Sequence, residues 1–164
     1  MNEIVAYTAP AGVSLVDIRM NSTAYPRIKT LNRQSAVARL QQVVAMAYVY
    51  TGRSADESKI EMVATALYSE LMEDKRHLGI GNITIEEIAH AVKDAILQAN
   101  REDVYINIAF LYKAVCAYAE GEGHDAQEEA YRRIRAQRQK AIAATPVGTM
   151  LATYESRILN SSKK

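Results

Sequence analysis

The sequence predicts an all-α fold, a single-domain bundle of about six helices behind an irregular N-terminal arm. Three observations predict it. Apolar residues recur at three- and four-residue steps in successive segments, as one face of a helix requires. Two Ser/Thr-x-x-Glu patterns stand directly ahead of such segments, where their side chains meet backbone N–H groups that a first helical turn leaves unpaired. Only 7 Gly and 3 Pro interrupt 164 residues, too few for the turns of a β-sandwich or barrel. A domain of this length buries roughly 70% of the surface of its unfolded chain, so its core needs neither metal nor disulfide.

Residues 1–31 form the arm: Glu3 to Tyr7 suits a short extended segment, and Pro10, Gly12 and Pro26 punctuate the rest. The helical domain covers 32–159. Its first helix carries Ala36, Val37, Leu40, Val43, Val44 and Ala47 on one stripe and stops at Gly52. Ser54-Ala55-Asp56-Glu57 reads as a capping box for a helix with Ile60, Val63, Leu67 and Leu71 inward. Lys75, Arg76 and His77 then sit at the negative end of its dipole, and Gly79 and Gly81 terminate it. Thr84-Ile85-Glu86-Glu87 is the second box, opening a helix with Ile88, Val92, Ala95 and Ile96 on its inner face.

From Val104 to Ala119 only Asn107 and Lys113 are clearly polar, the pattern of a helix surrounded by its neighbours. Asn107 is its expected N-cap, Gly121 its stop, and it is taken as the central helix. A buried strand over Val104 to Ile108 is the alternative reading. Gly121-Glu122-Gly123 reads as a turn, and Asp125 as the cap of a helix from Ala126 to about Ala144. Thr145-Pro146 opens a last helix with Val147, Met150, Leu151, Tyr154 and Ile158 on its stripe, and 160–164 form a polar tail.

A formal charge of +1 excludes a strongly basic nucleic-acid binder while leaving room for a local basic patch. The charge is segregated, at +4 over residues 1–53, −6 over 54–103 and +3 over 104–164. One cysteine, Cys116, excludes an internal disulfide and a multi-cysteine zinc site, and it fits a reducing compartment. With no Lys or Arg before Arg19 there is no signal-peptide n-region, and no run is long enough to span a membrane. The expected location is therefore cytoplasmic, with no membrane contact.

Few residues suggest chemistry. Glu87-Ile88-Ala89-His90 has the Glu-x-x-His spacing of di-iron bundles. That chemistry needs a second such pair and two further carboxylates, and the nearest candidate, Asp74-Lys75-Arg76-His77, lies at a charged helix end. Glu87 already has a role in its capping box, so no metal and no cofactor are expected. Cys116 lies in the most apolar helix and reads as a small apolar side chain. Gly79-x-Gly81 and Gly121-x-Gly123 lack the residues of a phosphate-binding loop and read as turns. The helix opening at Thr84 looks like the first of a helix-turn-helix, but it runs on too far for a recognition helix to follow.

The best nucleic-acid candidate is the helix around Tyr131 to Lys140. Arg132, Arg133, Arg135 and Lys140 share one broad arc, while Ala130, Ile134 and Ala141 face the other way, with Arg138 nearest the apolar side. Glu128 and Glu129, four residues ahead of Arg132 and Arg133, can pair with them, leaving Arg135, Arg138 and Lys140 without helical acid partners.

Gly81-Asn82-Ile83-Thr84-Ile85-Glu86-Glu87-Ile88, followed by Val104-Tyr105-Ile106-Asn107 and an apolar helix, resembles small all-helical proteins of phages and integrated mobile elements. Some of these are associated with replication, as loaders or organisers of the replicative helicase. The resemblance covers residues 36 to 120 and brings no catalytic residue. It implies a non-enzymatic interaction protein whose partner is another protein, such as a replicative helicase, or a second copy of itself. A phage structural or host-defence-blocking protein is the alternative, as is a weak nucleic-acid binder through residues 131–140.

Overall fold

Six α-helices and two 3₁₀ turns follow one another in a computed structural model that describes residues 4–100 and 103–147. They are α1 (Leu15–Met20), a turn at Ile28–Thr30, α2 (Arg33–Thr51), α3 (Glu57–Glu73), a turn at Ile80–Asn82, α4 (Ile85–Gln98), α5 (Ile108–Glu120) and α6 (Glu122–Ala143). No strand forms among the described residues, and a single antiparallel bridge joins Arg27 to Thr84. The fold is all-α. The chain divides into two compact units, residues 1–127 and 128–164, and α6 runs across that boundary. The expected last helix beyond residue 147 and the tail at 160–164 lie outside the described residues.

The N-terminal arm is more ordered than its proline and glycine content suggests. Ser14 caps α1, accepting from the Asp17 N–H at 3.2 Å, while Asp17 returns its carboxylate to the Ser14 backbone. The helix this Ser-x-x-Asp box opens has only six residues and one buried side chain, Ile18, too short to show a stripe in the sequence. Two backbone bonds attach the segment to the bundle: Tyr7 N–H to the Gln42 carbonyl and Ile28 N–H to the Ile83 carbonyl, both 2.9 Å. Ile28 is fully buried.

The centre of the bundle is shared by two helices, not held by α5 alone. Leu111, Val115 and Cys116 of α5 are buried, and α5 packs on α3, α4 and the second 3₁₀ turn. α2 is buried on every side over Val43–Tyr48, and it packs on both α3 and α4. Ala36, Ala45 and Ala47 let those neighbours approach α2 closely. Ahead of α5 the alternative strand does not form. Val104 and Ile106 are buried and Tyr105 is 60% exposed, the alternation of extended chain, and the helix begins only after the Asn107 cap.

Several helix ends differ from expectation, each for a local reason. α3 is capped by Asp56, which accepts from the Lys59 N–H at 2.7 Å, so the Ser54 box does not form. It ends at Glu73, leaving Lys75, Arg76 and His77 beyond its last turn. Asp74 ends it, turning left-handed (φ 43°) and accepting from the amides of Leu78, Gly79 and Ile80 at 3.0, 2.8 and 3.3 Å. α6 begins at Glu122, so the expected Gly-Glu-Gly turn is already helix and Asp125 is no cap. That close entry depends on Gly123, where a Cβ would lie 2.7 Å from the Tyr118 ring and 2.9 Å from its carbonyl oxygen.

Candidate functional site

The buried polar centre of the first unit forms where α1, α4 and α5 meet. Thr84 and Glu87 make the expected capping box: Glu87 N–H donates to the Thr84 hydroxyl at 3.2 Å, and Thr84 N–H donates to Glu87 Oε2 at 2.9 Å. The carboxylate does more than cap. Its Oε1 accepts from Arg19 Nε at 2.5 Å and from the Tyr118 hydroxyl at 2.7 Å, and the Glu87 side chain is fully buried. Arg19 also donates to Gln127 Oε1 at 2.9 Å. A buried carboxylate is tolerable only when such donors replace water, and here three donors, Arg19, Tyr118 and the Thr84 N–H, converge on it.

This geometry separates the two residues of the Glu-x-x-His pattern. Glu87 is committed to Arg19 and Tyr118, whereas His90 pairs with Glu122 (Nε2 to Oε2 2.9 Å) and meets the Tyr118 ring edge-to-face at 5.9 Å. In the second candidate the Asp74 carboxylate is taken up by the amides of Leu78, Gly79 and Ile80. Among the described residues no group of three or more His, Cys, Asp or Glu side chains is placed to hold a metal. Cys116 is buried. Arg19 and Tyr118 escaped the sequence reading because nothing in the pattern of either segment points to a partner 68 or 31 residues away.

Tyr118 belongs to the buried centre. Burial first, then the Glu87 charge and hydrogen bond, push its phenol far above the ordinary tyrosine range, against the opposing pull of Arg19. Burial, aided by the Glu86 charge, likewise raises Tyr7 from 10.0 to about 12. Both phenols are held neutral by the fold, so their contribution is complete below pH 10 and is lost as pH rises from there through the folded pKa values. Stability should therefore fall above pH 10, and Tyr7→Phe should remove part of that fall. Denaturant titrations between pH 9 and 12 check this, and an alkaline slope equal in wild type and variant would contradict it.

The cationic helix forms as expected, with its apolar face shorter than expected. Ala130 is buried and Ile134 half-buried, but Ala141 is exposed, as is every residue from 135 to 147. Among the described residues the apolar stripe thins after Ile134. Glu129, not Glu128, pairs with both Arg132 and Arg133, at 2.9 Å each. Arg135, Arg138 and Lys140 make no ion pair among the described residues, and Arg138 is exposed with them. Tyr131, Ile142 and Val147 stand exposed on the same stretch at 58%, 61% and 66%.

Among the described residues no helix is long and apolar enough to cross a membrane. Comparison of the chain with protein-family models, with curated proteins and with solved structures finds no match.

Proposed function

We propose that this protein is a non-catalytic, cytoplasmic interaction module of a phage or mobile element, acting as a replication accessory that binds another protein through residues 131–147. The observation that carries the reading is the exposure of residues 135–147 on every side while the chain remains helical to Ala143. A helix with no buried face gains nothing from tertiary packing. A partner would supply that packing by covering Tyr131, Ile142 and Val147 and by neutralising Arg135, Arg138 and Lys140. An acidic surface with an apolar centre fits those side chains, and the suggested partner is a replicative helicase, as the resemblance over residues 36 to 120 implies.

The test is affinity capture from the native cell with wild type and with the Arg135→Gln/Arg138→Gln/Lys140→Gln variant. A helicase retained by wild type and lost by the variant supports the proposal. Capsid or tail proteins in its place would make the protein a structural component.

The same cations, which make no ion pair among the described residues, favour one second reading, phosphate contact with nucleic acid. Arg135→Gln/Lys140→Gln should leave the fold intact, because exposed charges contribute little to stability. If the helix contacts phosphates, the double change should weaken binding similarly across sequences and flatten the salt slope by roughly 1–2 units. Fluorescence-anisotropy titrations at several salt concentrations measure this, and equal binding by both proteins would exclude the helix as a phosphate site.

A further inference from the structure

The segment before α1 and the outer face of α4 enclose a cleft of about 290 Å³, near the roughly 300 Å³ at which small-molecule pockets begin. Pro10, Val13, Leu15, Ile18, Met46 and Ala89 line it with apolar surface, and Tyr7, Glu86, His90, Lys93 and Glu122 add the polar groups. Most of the charged groups are already engaged. His90 and Glu122 bond each other at 2.9 Å. The Lys93 ammonium lies 5.3 Å from the centre of the Tyr50 ring, whose face attracts a cation. Arg39 acts on Tyr7 through its charge but does not line the cleft.

Glu86 is the exception. The half-buried Glu86 side chain lines the cleft and makes no hydrogen bond or ion pair among the described residues, with its Oε2 shielded from solvent. An acceptor kept from water without a donor is costly, most of all on a charged group. An ionised carboxylate can only accept, and its strongest partners are cationic N–H donors. Apolar walls beside it suit the methylene stem that carries such a head group.

We propose that this cleft binds an amphipathic cation, an alkyl-ammonium or alkyl-guanidinium, with its charged head on Glu86 and its stem against the apolar walls. The ligand is either a free amine or the Lys or Arg side chain of a partner protein, and the chemistry is the same for both. The site is separate from the helix at 131–147, and neither proposal depends on the other.

The test is a titration of the isotope-labelled full chain, read by amide chemical shifts. The probes are agmatine, a short peptide with one arginine, and pentanoate as an anion of similar length. Agmatine or the peptide should give saturable shifts within Tyr7–Ile18 and Glu86–Lys93. Tighter binding of the peptide would identify a protein source, and tighter binding of agmatine a free amine. Glu86→Gln, which keeps the size and removes the charge, should weaken binding about tenfold or more. Val13→Trp should block the cleft with Glu86 left in place, which keeps the proposal testable should the Glu86 variant unfold. Equal shifts with pentanoate, no saturable shift with either cation, or full binding by a folded Glu86→Gln variant would overturn it.

Discussion

Glu87→Ala is expected to destabilise the protein by about 3–5 kcal/mol, the range for breaking a buried ion pair from one side. The carboxylate is fully buried and Arg19 is only 10% exposed, so its removal strands a guanidinium that water barely reaches. The Tyr118 hydroxyl loses its acceptor, and the Thr84 N–H at the start of α4 loses its cap. These losses share one carboxylate and do not add. Urea unfolding of wild type, Glu87→Ala, Arg19→Ala and the double variant closes a cycle whose coupling should be strongly favourable. A loss below about 1 kcal/mol in both single variants would mean that the pair contributes nothing in solution.

Leu111→Ala should cost roughly 2–5 kcal/mol. Leu111 is fully buried on α5, where that helix packs on α3 and α4. Truncation removes methylene groups from contact and leaves a void among helices that relax only partly. Leu97→Ala is the matched control, the same chemical change at a side chain 44% exposed, and it should stay within about 0.5 kcal/mol. A midpoint shift with unchanged denaturant slope would place the effect in the folded state. Equal behaviour of the two variants would refute the packing of α5.

What was legible in the sequence has a common physical character: it is short-range. The stripes of α2 through α5 are set by side chains three and four residues apart, and the caps at Thr84 and Asn107 by a hydroxyl or amide reaching three residues along its own chain. The misread ends are also local, but two local solutions competed there. Ser54 and Asp56 both offer an oxygen to the start of α3, and Asp56 wins because its carboxylate meets the Lys59 amide. Asp74 reads as one more acid near a basic cluster until its three amide partners are seen.

The candidate surfaces divide along the same line. The cationic arc of α6 was visible at once, because 100° per residue places Arg132, Arg133, Arg135 and Lys140 together whatever else the chain does. Its exposure beyond Ile134 was not, because a stripe of Ala130, Ile134 and Ala141 looks the same whether or not a neighbour covers it. The cleft at Glu86 was invisible for a stronger reason: its walls come from the arm, α2, α4 and α6, and no periodicity links them.

By itself, then, the sequence determined that this chain is all-α and roughly where α2 to α6 and the basic residues lie, since backbone hydrogen bonding and helical pitch act over a few residues. Only the tertiary structure decided which polar groups meet. The fold joins Arg19, Glu87 and Tyr118 into one buried cluster, leaves Glu86 Oε2 without a donor among the described residues, and leaves residues 135–147 in solvent. Burial and partnership depend on surfaces from distant segments, and desolvation sets their energies only after those surfaces close.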